Sequence, residues 1–460
     1  AFVYSDDVAE ELIHITLGGT KTVLRDLSTS LDYTADDFTV LGSEVFFTSA
    51  DDSEGVQLWK TDGTSGNTVL VTSNDIETSK AARAKDFFGL KDSLFFSAFD
   101  GTNMNLYQSG GSSSNTNLAI SGDSVLSENS DVLGDYLYFN KGTNFIDQLL
   151  KTDGDTIMPV DTAEESISYI TASGNHLYFV TNTSNEGTEL WVSDGTNAGT
   201  QVMDLYTGAS FSSSPDQLMD INGTLYFRAL DPNEGSKGLW KSDGTMGGTE
   251  VVFSDVIGDI DNLTAIGPYI FFTVDDVIIG TEVKVYNTMN GSVSSTDAQD
   301  GDSNPVGLAE FNGSLYYVHD DTSNMMLASI DTATLSYHSH YEVQSYPSNT
   351  SVHDLISTDQ FLTFHITNHV DDIFNQYVVD TAGNVRLTNF EIKNRRNTES
   401  IGGLLYYITS TDTLYVTDGT DRGTEMVSSI WNDDNVYPKF VFNDTLFFVS
   451  DLNNLGSEVY

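Results

Sequence analysis

The sequence predicts an all-β fold, a β-propeller of about ten four-stranded blades of about 44 residues each. Three observations carry this. An apolar, aromatic-rich triplet repeats along the whole chain, hairpin turn signals stand beside it, and long helical periodicity is absent. The triplet occurs as Val45-Phe46-Phe47, Leu94-Phe95-Phe96, Leu137-Tyr138-Phe139, Leu177-Tyr178-Phe179 and Leu225-Tyr226-Phe227. It continues as Ile270-Phe271-Phe272, Leu315-Tyr316-Tyr317, Leu362-Thr363-Phe364, Leu405-Tyr406-Tyr407 and Leu446-Phe447-Phe448. With Phe2-Val3-Tyr4 there are eleven copies, at a mean period near 44 residues, the length of one blade.

One period supplies four strands. Asp216–Ile221 and Thr224–Leu230 flank Asn222-Gly223, and Asn-Gly between two apolar runs is a strong hairpin signal. A polar loop, Asp231–Gly238, leads to a third strand holding Leu239-Trp240-Lys241, and Glu250-Val251-Val252 makes a fourth. Adjacent positions of the triplet strand are both apolar, so both faces of that strand must be covered, as they are when sheets stack radially. The blades are expected to close as one large ring or two smaller ones.

The two ends are expected to be partial blades, residues 1–27 and 431–460, flanking tandem blades in 28–430. The N-terminal piece offers strands at Ala1–Ser5, Glu11–Thr16 and Lys21–Leu24. The C-terminal piece offers Lys439–Phe442, Thr445–Ser450 and Glu458–Tyr460. Six strands exceed the four of one blade. Either a chain end is truncated or divergent, or a neighbouring chain completes each partial blade, a head-to-tail contact that propagates into a filament unless its rotation closes a ring.

Between the third and fourth strands stands the most specific motif. It reads Leu58-Trp59-Lys60-Thr61-Asp62-Gly63-Thr64 and Glu189-Leu190-Trp191-Val192-Ser193-Asp194-Gly195-Thr196, the second copy followed by Gly199-Thr200. It returns as Leu239-Trp240-Lys241-Ser242-Asp243-Gly244-Thr245 and Leu414-Tyr415-Val416-Thr417-Asp418-Gly419-Thr420, with Gly248-Thr249 and Gly423-Thr424 following. An aspartate can accept backbone N–H groups in an Asx turn, and glycine supplies positive φ. Asp62, Asp194, Asp243 and Asp418 recur in separate blades, whereas catalysis uses one constellation, so the motif is expected to serve the fold. It closely resembles the bacterial repeat family named for Glu-Leu-Trp, two residues, Asp-Gly-Thr, two residues, Gly-Thr. That resemblance implies a propeller-like fold in a secreted or surface protein, and no shared catalytic residues.

Sixty-eight acidic and nineteen basic residues give a formal charge of -49, which repels phosphate backbones and anionic lipid. Nucleic-acid binding and membrane insertion are therefore not expected, and no apolar run of membrane-spanning length occurs. The absence of cysteine excludes disulfides and thiolate metal sites.

Candidate ligand sites are few. His338 and His340 project from one face of an extended strand, a workable spacing for two imidazole ligands of a metal. Oxygen-rich loops, among them Asp51-Asp52-Ser53-Glu54-Gly55 and Asp231-Pro232-Asn233-Glu234-Gly235, are candidate calcium sites at Asp51, Asp231 and Asn233, though none has the spacing of a twelve-residue calcium loop. Glycosylation sequons stand at Asn182, Asn222, Asn262, Asn290, Asn312, Asn349 and Asn443. No nucleophile elbow, paired zinc histidines or phosphate loop is present. The expected function is a non-enzymatic extracellular scaffold for adhesion or filament and surface-layer assembly. A glycan-binding propeller is the alternative, with a propeller hydrolase or lyase behind it.

Overall fold

A computed structural model describes residues 8–16, 21–26, 36–51, 55–72, 84–122, 130–143, 146–160, 164–208, 211–254, 258–276, 280–295, 304–321, 324–343, 350–368, 373–388, 398–408, 414–427, 435–442 and 445–453. These form ten antiparallel sheets, the blades of a β-propeller fold. Nine have four strands, and one carries an additional two-residue strand, Glu164–Glu165. Among the described residues no helix is long and apolar enough to cross a membrane.

Blades 1 to 9 follow the chain, and each runs first to fourth strand in order. Blade 1, for example, is Asp36–Leu41, Glu44–Asp51, Gly55–Thr61 and Val69–Leu70. Blades 3 to 7 fall in one compact unit, Asp123–Pro347; blades 1, 2, 8, 9 and 10 fall in the other.

Both faces of the triplet strand are covered because successive side chains enter different clusters. Phe46 packs with Leu94, Phe96 and Tyr107 of blade 2. Val45 and Phe47, on the opposite face, pack with Trp59 and with Leu12 and Leu24 of blade 10. In the other unit, Leu225 and Phe227 of blade 5 meet Tyr178, Val180 and Leu190 of blade 4, and Tyr226 turns to Ile270 and Phe272 of blade 6. Period-2 alternation therefore divides one apolar strand between two neighbouring sheets. Trp59 and Trp240 are buried in these seams, while Trp191 is partly exposed.

Blade 10 is built from both terminal regions. Its strand order joins Lys21–Asp26, Val8–Thr16, Thr445–Asn453 and Asn435–Phe442, so the C-terminal region supplies the first and second strands and the N-terminal region the third and fourth. Val8–Thr16 pairs residue for residue with Thr445–Asn453. The expected strands at Ala1–Ser5 and Glu458–Tyr460 lie outside the described residues. Among the described residues, Val8–Thr16 takes the position beside Thr445–Asn453. That position is therefore paired within the chain.

Candidate functional site

Each Asp-Gly-Thr copy is a closed network. Asp62 Oδ1 accepts the Thr64 N–H at 2.9 Å and the Thr64 hydroxyl at 2.6 Å, and Asp62 Oδ2 accepts from Asn67 Nδ2 at 2.7 Å. Asp194 and Asp243 make the same pair of bonds to Thr196 and Thr245, and Asp418 to Thr420. The threonine hydroxyl and N–H hold the carboxyls of Asp194 and Asp243 below their ordinary range.

A further participant was not singled out in the sequence: the Ser or Thr before each Asp. The hydroxyls of Thr61, Ser193, Ser242 and Thr417 accept the N–H of Gly63, Gly195, Gly244 and Gly419. Each also lies 2.7 Å from the hydroxyl of the threonine seven residues on, Thr68, Thr200, Thr249 or Thr424. The four glycines have positive φ, and Gly195, Gly244 and Gly419 face the preceding blade; a Cβ on Gly195 would lie 2.2 Å from the Tyr138 hydroxyl. The motif thus seats one blade on the next, and its copies do not converge.

Blade 2 carries a swapped version. Gly110 stands where Asp194 stands in blade 4, and Asn115 where Gly199 stands. Asn115 Oδ1 now accepts the Ser112 N–H and hydroxyl, both at 2.8 Å. A Cβ on Gly199 would meet Asp194 Oδ1 at 2.1 Å, and a Cβ on Gly110 would meet Asn115 Nδ2 at 2.5 Å. Blade 1 carries both, Asp62 at the one position and Asn67 at the other, joined by the 2.7 Å bond. Gly199→Asn, which rebuilds that pair in blade 4, is therefore expected to change stability by less than about 1 kcal/mol, as read by urea denaturation.

Among the histidines, His338 is exposed and its ring centroid lies 6.3 Å from that of His340. His340 Nε2 is 2.6 Å from the Ser329 hydroxyl, and its ring stacks on Tyr316. Burial, helped by His338, pushes the His340 imidazole below its ordinary value. Among the described residues no three His, Cys, Asp or Glu side chains gather as a metal site would require. Asp231 is buried, with Oδ1 bonded to Asn233 and Oδ2 to the Ser254 hydroxyl. The side chain of Asp51, and Asn349 and Asn443, lie outside the described residues. Asn182, Asn222, Asn290 and Asn312 are exposed, the second and fourth in hairpin turns with positive φ.

Asn262 has a different setting. The first strand of a blade is the edge of its sheet, and several of these strands carry a bulge whose second residue is left-handed. In blades 5, 6 and 7 the bulges read Asp216-Gln217-Leu218-Met219, Asp261-Asn262-Leu263-Thr264 and Val306-Gly307-Leu308-Ala309. Gln217, Asn262 and Gly307 have φ of 51°, 56° and 67°. The bulges of blades 6 and 7 bound a cavity of about 410 Å³, lined by residues 262–264 and 305–308. Its wall is anchored on the blade 5 side. Arg228 holds Asp216 through Nε and Nη2 at 2.6 and 2.9 Å, and its Nη1 reaches the Ile260 carbonyl at 3.0 Å and Asp261 at 2.9 Å.

No protein-family model and no curated protein matches the chain. Solved structures that are similar include a prolyl endopeptidase (12% identity, 72% of this chain and 53% of that one, TM-score 0.38) and a puromycin-hydrolyzing peptidase of Mycobacterium tuberculosis (13%, 69% and 57%, TM-score 0.33). The computationally designed Ika8 protein is also similar (12%, 78% and 96%, TM-score 0.35). The chain spans 53% and 57% of the length of those two peptidases. The prolyl endopeptidase and the puromycin-hydrolyzing peptidase are hydrolases, and the expected non-enzymatic scaffold is corrected on that ground.

Proposed function

We propose that this chain is a polypeptide-binding propeller that receives an extended segment of a partner along the bulged first strands of blades 6 and 7. The observation that carries this is the cavity between two sheet edges. An edge strand offers backbone donors and acceptors to an added strand, and a bulge interrupts its own ladder, leaving a notch for a side chain. The charge of -49 favours a partner with basic side chains. The likeness of the Asp-Gly-Thr motif to secreted repeat proteins supports an extracellular setting.

The test is fluorescence anisotropy with labelled decapeptides. A lysine-containing peptide is expected to bind, with affinity falling as salt rises, and an acidic one of the same length to bind weakly. Thr264→Trp, which fills the cavity, should weaken binding about tenfold, roughly 1.4 kcal/mol. Affinity unchanged by Thr264→Trp would overturn the assignment of the site. Mass spectrometry of the same mixtures reads whether the bound peptide is cleaved.

A further inference from the structure

Three successive blades carry the same bulge at the same register, 45 residues apart, and each is followed by leucine: Leu218, Leu263 and Leu308. Their junctions differ in what occupies them. Between blades 5 and 6, the Gln217 side chain spans the junction: its Oε1 accepts the Leu263 N–H at 2.9 Å and its Nε2 donates to Asp261 Oδ1 at 2.5 Å. A primary carboxamide thus fills the notch of the next bulge and meets both a donor and an acceptor.

Between blades 6 and 7 the corresponding residue is Asn262, one methylene shorter. Its Nδ2 turns back to Thr273 Oγ1 of its own blade at 3.2 Å. The corresponding N–H is that of Leu308, where the ladder breaks between Val306 and Ala309. Here lies the cavity of about 410 Å³.

We infer that this cavity is a receptor for a primary carboxamide, the side chain of a glutamine in the bound peptide. The inference rests on the polypeptide-binding reading and names the residue that the site selects. The carboxamide oxygen takes the Leu308 N–H, as Gln217 takes that of Leu263. The exposed Asn262 side chain supplies the acceptor oxygen for the incoming NH₂, in the place of Asp261. Gly307 leaves the entrance without a side chain, and the remaining volume holds the flanking peptide backbone. A glutamate would set its charge against that acceptor and against the field of the whole chain.

The experiment compares three lysine-flanked pentapeptides, identical except for a central glutamine, glutamate or norleucine, by isothermal titration. The glutamine peptide is expected to bind about tenfold more tightly than either of the others, since a site built to hydrogen-bond a polar group discriminates against its isosteres. Asn262→Gln should abolish that preference by filling the notch from within. It should also raise the melting temperature without peptide, whereas Asn262→Leu should not. Equal binding of the glutamine and norleucine peptides, still blocked by Thr264→Trp, would overturn the carboxamide inference and leave the peptide site standing. Failure of every peptide to bind would overturn the peptide reading and this inference with it. An Asn262→Gln variant no more stable than Asn262→Leu would overturn the carboxamide match on its own.

Discussion

Trp59→Ala is expected to destabilise the protein by about 3–5 kcal/mol, the range for emptying a buried tryptophan site. Trp59 is 1% exposed, its indole N–H donates to the Ser49 carbonyl at 3.3 Å, and the Arg25 guanidinium lies 4.8 Å from its ring centroid. Its cluster joins Val45 and Phe47 of blade 1 to Leu12 and Leu24 of blade 10. The loss therefore falls on the seam that holds the N-terminal strands. Urea denaturation gives the magnitude, and hydrogen exchange at residues 8–16 and 21–26 should report the opening first. A midpoint shift no larger than that of Leu118→Ala, at an exposed position, would contradict this account. Trp191→Ala, at the partly exposed equivalent, should cost less.

Stability is expected to fall between about pH 4.5 and pH 7 through one buried carboxyl. Glu189 is fully buried, and burial pushes its pKa from 4.5 up to about 7 despite bonds from the Ser213 N–H, the Ser213 hydroxyl and the Leu205 N–H. Across this window the folded chain keeps the proton and the unfolded chain has released it, so the folded state binds more protons and unfolding becomes easier as pH rises. The contribution is absent below about pH 4.5 and complete above about pH 7, where it amounts to about 3 kcal/mol. Glu189→Gln should remove this slope and be the more stable protein at pH 8. Blade 1 carries that substitution naturally. Gln57 occupies the same ladder position and accepts from the Thr72 hydroxyl at 2.8 Å. Parallel pH profiles for the parent and Glu189→Gln would refute the linkage.

The blades were legible because their cause is local. Phe46 and Phe47 must both be apolar when a sheet is covered on both faces, and that requirement writes itself into adjacent letters. The Asp-Gly-Thr turn was legible for the same reason, except that Thr61 and Ser193 were passed over as ordinary strand residues. The bulges were not legible. Their requirement is a left-handed backbone, met by Gln217, Asn262 and Gly307 alike, and the bonds of Gln217 reach the next blade, 45 residues on. Asn262 was visible as a sequon and as the last residue of the oxygen-rich run Asp259-Ile260-Asp261-Asn262. At the chain ends, strand propensity alone could not decide which of two candidates takes one slot beside Thr445–Asn453.

The pairing of Val8 with Asn453 also sets a clock on biosynthesis. A ribosome adding about 5–20 residues per second takes roughly twenty seconds to a minute and a half to travel between them. During that time Val8–Thr16 has Lys21–Asp26 on one side and no partner on the other, while blades 1 to 9 are assembled from neighbours already present. Leu12, fully buried in the finished chain, then lies in a strand with an open edge, the form in which strands are captured by other chains. The last of these ten blades to form thus contains strands made before the other nine, and the yield of folded protein depends on how well those residues are kept apart from other nascent chains until Thr445–Asn453 arrives.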